Sequence, residues 1–458
     1  MNGNAPIPVI LTGMEKRTYE VLIIGGGISG GTLLYDLALH SDVQSMCLIE
    51  KYDHLDPLNS NAHSNSQTLH CGDIETNYSR EKAEHVHGGA NMMLQFVNNG
   101  SGDSTLKRNY GKMLLGVGDV EIASIKDRFS SISDLFPTLR EVNADDIADI
   151  EPNVALIDGK RRDDPIFGLY DSVGWAIDYG RVTDNCVAQA QGVEGKKVDV
   201  KLSTEALKIT RTEDGFEIKV KHGDTLHCKF LVVSAGTYSL HLAQTMGKGK
   251  HFSVLPVSGS FYFAPEVLHG KVYTVQNPKL PFAAIHGDPD MTKPNTTRFG
   301  PTALMLPVLE RFNAKTALGF MQSFHFSKGT ATTLFHLMKD KDIRDFIYEN
   351  IGYEVPVHGK KLFLKQVLKI VPSMQLDDLD FADHTTGVRP QLIDEEKEEL
   401  LMGAAKFNDG DGVIFNMTPS PGATSAFANA AEDLVEITKH LDRNIDEASF
   451  KAVFGVSP

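Results

Sequence analysis

A chain of 458 residues is too long to fold around one hydrophobic core, so two domains, interleaved or consecutive, are expected. An apolar fraction of 41% and a charged fraction of 23% belong to an ordinary globular protein. The net charge of −15 argues against a nucleic-acid partner and against simple electrostatic adhesion to anionic lipid, so any membrane contact has to be local.

Residues 1–16 hold a short apolar patch with no basic leader before it and do not read as a signal peptide. No apolar run approaches the roughly 20 residues of a membrane-spanning helix. The strongest local signal follows. Tyr19-Glu20-Val21-Leu22-Ile23-Ile24 is an apolar run of strand length that enters Gly25-Gly26-Gly27-Ile28-Ser29-Gly30. A helix-compatible segment then runs to about Leu39, and a second short strand, 46–49, ends on Glu50. This is a βαβ unit with the dinucleotide fingerprint. Gly25 permits a tight turn, Gly27 lets backbone approach a diphosphate, and Gly30 lets helix and strand pack closely. Glu50 stands where an acid accepts hydrogen bonds from a ribose.

Residues 59–72 are rich in Asn, Ser and Thr. They read either as a loop whose polar groups face a ligand or as a solvated surface loop. Residues 81–145 predict mainly helix, and Glu151-Pro152 marks a boundary. From Val198 the pattern alternates: 198–202 and 216–220, joined through an Asp214-Gly215 turn, predict a β-meander. It leads into a buried-looking strand, 230–233, and a small-residue turn at Ala235-Gly236. Short β-like runs fill 252–310, and helix is predicted over about 330–349. In 358–371, Lys361, Lys365 and Lys369 recur opposite Phe363, Leu364, Val367 and Leu368, which describes a basic amphipathic helix facing either the core or a membrane surface. The four cysteines, Cys47, Cys71, Cys186 and Cys228, are widely spaced. They point away from zinc or thioredoxin-like chemistry and toward a reducing, cytoplasmic setting.

A single fingerprint with glycine turns recurring near 236, 387 and 422 suits FAD, a long cofactor spanning several parts of one interleaved domain, better than a compact NAD module. The segments 25–30, Asn65-Ser66-Gln67-Thr68-Leu69-His70, 72–78, 275–284, 298–303, 387–391 and 416–425 resemble the malate:quinone oxidoreductases, within the flavoprotein group of D-amino-acid oxidase, glycine oxidase and 2-hydroxyglutarate dehydrogenases. The resemblance implies an α/β fold: a Rossmann-type FAD-binding domain interleaved with an α+β substrate domain on a mostly antiparallel sheet. The expected division is an extension at 1–18, FAD-binding segments at 19–80, 151–245 and 375–445, and substrate segments at 81–150 and 246–374.

It also implies oxidation of (S)-malate to oxaloacetate, with electrons passing through FAD to a membrane quinone at the inner face of the cell membrane. His286 is the first choice for the base that takes the hydroxyl proton and His70 the reserve. Arg389 is expected to grip a carboxylate, with Arg298 as second cation and Gln67 and Thr68 as neutral donors. The expected cofactor contacts are Gly25, Gly27, Ile28, Ser29, Gly30, Glu50 and Lys51, then Asn65, Ser66 and Gln67. Further along they are Ala235 and Gly236, then Gly387, Arg389, Pro421, Gly422, Ala423 and Thr424. The membrane contact is assigned to the 358–371 helix or to the stretch around Phe320, Phe324 and Phe326. Competing readings are an oxidase or dehydrogenase of another 2-hydroxy or 2-amino acid, and a non-catalytic nucleotide-binding redox sensor.

Overall fold

The computed structural model describes residues 18–277, 279, 284–355, 357–383, 386–401, 405–408, 410–418 and 421–458. Residues 1–17 of the expected extension, most of 278–283, and Pro419 and Ser420 lie outside the described residues. The strand Thr18–Ile24 stands third in a run of five parallel strands. Their spatial order is Lys197–Lys201, Ser45–Ile49, Thr18–Ile24, Leu226–Val233 and Val413–Met417. Both faces of this sheet are covered, which is why its central strands read as unbroken Val, Ile and Leu rather than as an alternation. The helices Ile28–His40, Tyr179–Gln191 and Ala426–Leu441 share one core on one face, with Leu34, Phe230 and Phe427 fully buried in it. Phe216, Leu231, Leu240 and Phe415 fill the other face.

The predicted meander is corrected here. Lys197–Lys201 pairs parallel with Ser45–Ile49 at the sheet edge, and the hairpin partner of Gly215–Val220 is Ala206–Thr212. An edge strand exposes part of its surface, so it alternates just as a hairpin strand does.

A second sheet of eight strands runs in the order Asp380–Phe381, Tyr262–Pro265, Thr296–Gly300, His286–Pro289, Lys271–Thr274, Lys112–Val117, Ile166–Asp171 and Arg140–Val142. Its pairs are antiparallel except for Lys271–Thr274 with Lys112–Val117. The region expected to be mainly helical thus holds strands between its helices Arg80–Gln95, Asp119–Ile132 and Ala144–Ile150. The boundary expected at 151 falls between two strands of this sheet, because Ile166–Asp171 pairs with Lys112–Val117. A third sheet of four strands pairs Phe252–Ser258 with Val388–Asp394 along its whole length and carries Arg389.

The helix His358–Ile370 turns Phe363, Val367 and Ile370 into the core of the second sheet, against Val272 and Phe299. Lys361 and Lys365 point to solvent, and Lys369 Nζ lies 2.5 Å from Glu121. Its apolar stripe is therefore engaged within the protein, which removes it as a lipid-insertion face. Among the described residues no helix is long and apolar enough to cross a membrane, and no cluster of His, Cys, Asp or Glu is arranged to hold a metal ion.

Candidate active site

A cavity of about 760 Å³ extends from the glycine loop to the start of the strand Val388–Asp394. At one end Gly25, with φ +116°, brings the loop against the next parallel strand, and a side chain there would collide with the Ser234 carbonyl. A side chain at Gly30 would strike the Gly25 carbonyl instead, which is the close helix–strand packing the fingerprint requires. Gly27 caps the helix Ile28–His40 without any side-chain bond, and the Ile28 amide donates to Ser60 Oγ at 2.9 Å. The remaining first-turn amides near Ser29 are free to meet a diphosphate at the positive end of the helix.

Glu50 is oriented by the amides of Gly26 (2.8 Å) and Tyr52 (3.0 Å), one to each carboxylate oxygen, and still lines the cavity. Lys51, also in the wall, is ion-paired with Glu310 and sits 3.7 Å over the Tyr238 ring. Ala235 and Gly236 close the wall just past the end of the fourth parallel strand, Leu226–Val233. The backbone cradle, the free helix terminus and the oriented acid fit the adenosine end of FAD.

The other end gathers four distant segments. Asn65 shapes the polar loop, its Nδ2 donating to the Asn61 carbonyl at 2.9 Å and its Oδ1 accepting from the Gln67 amide at 2.8 Å. Ser66 and Thr68 line the cavity beside it. His70 stands in the wall, with Nδ1 2.6 Å from Glu75 Oε1 and its amide donating to Thr424 Oγ1 at 3.2 Å. Burial raises the Glu75 carboxyl, but hydrogen bonding and charge from His70, backed by Lys112, outweigh it and hold the group below the usual range. Beneath this pair Lys112 is buried 2.7 Å from Asp73.

Arg389 reaches the cavity with no hydrogen-bond or ion-pair partner among the described residues. Burial lowers its affinity for a proton, opposed only by the nearby Tyr78. Its strand is pinned to the polar loop: the Asn59 side chain binds both the amide and the carbonyl of Val388 at 2.8 Å, and the Gly387 amide donates to the Ser64 carbonyl at 2.9 Å. Gly387, Pro421, Gly422, Ala423 and Thr424 complete this end of the wall.

Four expected residues fall elsewhere. His286 is buried outside the cavity wall, stacked 4.2 Å from the Tyr273 ring, with Nε2 3.0 Å from Asp288 Oδ2 and Nδ1 3.1 Å from the Ala284 carbonyl. Nδ1 is engaged with the Ala284 carbonyl, and Nε2 is buried against Asp288 within ion-pair distance but without a hydrogen bond, so neither nitrogen is presented to the cavity. Asp288 is raised by burial, yet Lys271 and His286 more than compensate and hold its carboxyl down at about 2. Arg298 is also fully buried, 3.5 Å from Asp290 and 4.8 Å over the Phe261 ring, and does not reach the cavity. Gln67 adopts φ +57°, and its amide is engaged with Ala62, Asp290 and Met291, so it offers nothing to a substrate or cofactor. Gly30 acts behind the loop rather than in the wall.

Residues not singled out from the sequence are Glu75, Tyr78 and Arg311. A five-residue separation on a loop carries no periodic signature for the His70–Glu75 pair. Arg311 is only 6% exposed, lines the cavity, donates through Nη2 to Ser260 Oγ at 2.7 Å and to Glu354, and leaves Nη1 without a partner.

Comparison with known proteins places this geometry. The model of the DAO family, described as FAD dependent oxidoreductase, matches residues 20–437. A probable malate:quinone oxidoreductase of Campylobacter jejuni is 40% identical over 446 residues, covering 96% of this chain and 99% of the relative. The malate:quinone oxidoreductase of Helicobacter pylori is 40% identical over 437 residues, covering 94% and 97%. Among solved structures, the L-α-glycerophosphate oxidase of Mycoplasma pneumoniae with FAD bound shares the fold. Its TM-score is 0.67 at 19% identity, over 93% of this chain and 96% of that one. Glycine oxidase of Geobacillus kaustophilus gives 0.63 at 15%, over 92% and 95%. The cradle at 25–30 and the near-complete match to relatives at 40% identity agree, and the chain belongs to the malate:quinone oxidoreductase family of FAD-dependent oxidoreductases.

Proposed function

We propose that this enzyme oxidises (S)-malate to oxaloacetate and delivers the electrons to a quinone dissolved in the membrane, working at the inner face of the cell membrane. The names borne by the relatives of 40% identity support the substrate and the acceptor. The observation that carries the chemistry is the unpaired Arg389 in the same cavity end as the His70–Glu75 pair. In this reading the parallel sheet is the FAD-binding part, and the eight-stranded sheet with its helices is the substrate part.

FAD, held by the 25–30 cradle, Glu50 and the 421–424 turn, would supply the hydride acceptor for the hydroxyl-bearing carbon and carry two electrons on to the quinone. The chain's own residues do the rest. Arg389 binds the carboxylate next to the reacting carbon through its planar fork and fixes which hydrogen faces the cofactor. His70 takes the hydroxyl proton on Nε2, because Nδ1 is held by Glu75, and the Glu75 carboxylate stabilises the imidazolium that results. Arg311, with Nη1 free, answers the distal carboxylate in place of Arg298.

The test is an anaerobic absorbance titration of the FAD-loaded protein with (S)-malate, followed by a short-chain quinone. Bleaching by malate and recovery with quinone is expected. Bleaching followed by stoichiometric hydrogen peroxide in air would instead identify an oxidase. Bleaching by another 2-hydroxy or 2-amino acid alone would reassign the substrate, and a flavin that no such acid reduces would leave a nucleotide-binding sensor.

A further inference from the structure

The helices Ala317–Ser323, Lys328–Lys339 and Lys341–Tyr353 lie over the four-stranded sheet and are buried on one side only. Phe320, Phe324, Leu334 and Phe346 turn inward and pack with Leu255, Val257 and Ile393. On the outward side Leu318, Met321, Phe326, Phe335, Tyr348 and Ile351 stand in solvent, Phe326 at 85% and Leu318, Met321 and Phe335 each above 60%. The spacings 318/321 and 348/351 put these side chains in a stripe along each helix. Single exposed apolar residues are unremarkable, but six within 34 residues, five on these helices and Phe326 in the connector between the first two, form a patch of the kind that marks an interaction surface.

Charge decides what that surface meets. Helices 317–353 carry four Lys or Arg against four Asp or Glu, and the excess of cations comes from the adjoining helix His358–Ile370, joined to them by the Gln366–Glu349 hydrogen bond, which adds Lys360, Lys361, Lys365 and Lys369 and no acid inside a chain of net −15. Lys328 and Lys339 flank Phe335 at helical spacing, so cations border the apolar stripe on its own face. Apolar side chains ringed by lysines match a bilayer with anionic headgroups: the apolar groups enter the acyl boundary while the ammonium groups stay with the phosphates. The first of these helices also lines the cavity through Leu318 and Gly319.

We propose that the outward face of helices 317–353 is the docking surface for an anionic lipid bilayer, with the Ala317–Ser323 helix as the edge where the cavity meets lipid. This assignment rests on the proposed lipid-borne acceptor for its purpose, but its test is independent of turnover.

The FAD-loaded full chain is sedimented with phosphatidylcholine vesicles, with and without phosphatidylglycerol. Binding to the phosphatidylglycerol vesicles, weakened by salt, is expected. The double variant Met321→Ser/Phe335→Ser should lower that binding about tenfold or more, and Lys328→Glu/Lys339→Glu should abolish the preference for anionic lipid. Turnover with a water-soluble dye acceptor should stay unchanged in both variants, and FAD content and near-ultraviolet circular dichroism should report a native fold. Wild-type protein that ignores the vesicles, or variants that bind as wild type does, would overturn the assignment. So would a dimer that Phe335→Ser dissociates, because a second copy would then cover this face. Because sedimentation is scored without malate, vesicle binding by a protein whose flavin malate never bleaches would overturn the proposed reaction and leave the surface standing. Bleaching without vesicle binding would do the reverse.

Discussion

Two histidine–carboxylate pairs flank the same tyrosine. His286 stacks on the Tyr273 ring and faces Asp288, while His70 meets the ring edge-on at 6.4 Å and binds Glu75. Their chemistry is nearly identical and their situations are not. The His286 pair has Lys271 3.4 Å from Asp288 and no side chain in the cavity wall, so charge is balanced inside and nothing is presented outward. The His70 pair stands in the wall, with one ring nitrogen held and the other available. A dyad becomes a base through what its second nitrogen meets, and composition cannot tell one dyad from the other.

The sharpest way to break this comparison is to delete each histidine. His70→Ala should lower kcat by roughly 10²–10⁴-fold with FAD retained. His286→Ala should act mainly on stability, by about 2–4 kcal/mol in denaturant titrations. If His286→Ala abolished flavin bleaching at unchanged stability, the roles would have to be exchanged. Arg389→Met should then lower kcat/KM for malate by roughly 10²-fold, since it removes a fork in the cavity wall that has no partner among the described residues. Arg311→Met should be more selective. KM for malate should rise about tenfold while that for a 2-hydroxy acid without a distal carboxylate stays put; equal losses for both would take Arg311 out of substrate recognition.

The smallest effects concern buried carboxylates. Glu75 is held below its usual value, so its stabilising contribution is present at neutral pH and is lost as pH falls through the folded value. Asp36, fully buried in the helix Ile28–His40 with neither oxygen hydrogen-bonded, is the opposite case: burial raises it well above the carboxylate range. The stability tied to its protonated form is present below the unfolded value and is lost as pH rises. Asp36→Asn should therefore stabilise the fold by about 1–3 kcal/mol at neutral pH, with the gain shrinking toward pH 4. Thermal melts across that range measure it, and a gain that did not vary with pH would refute the assignment.

What the sequence made legible is what local backbone chemistry dictates. Gly25 and Gly30 are required where a side chain would collide, and the polar loop at 59–68, Arg389 and the turn at 421–424 all meet one cavity. What it hid depends on which way a side chain faces across a sheet. His286 and Asp288 alternate correctly for a strand, but their shared face turns toward Tyr273 and Lys271, and one residue of register would have reversed it. Gln67 looked like a free donor until its left-handed backbone turned the amide into the 290–291 loop. Pairing across long separations is equally hidden, which is why the alternation at 198–202 predicts a meander strand where the structure has a parallel edge strand.

The contact between Gly25 and Ser234 has a consequence for how the protein is made. The glycine loop is synthesised before the surface it leans on, which follows more than two hundred residues later, and the fifth parallel strand, Val413–Met417, comes later still. The nascent chain thus displays a nucleotide-binding signature long before it owns a nucleotide-binding site. Cofactor capture is tied to synthesis of the strand Val413–Met417, so a chain interrupted before residue 413 should carry the fingerprint intact and retain no flavin.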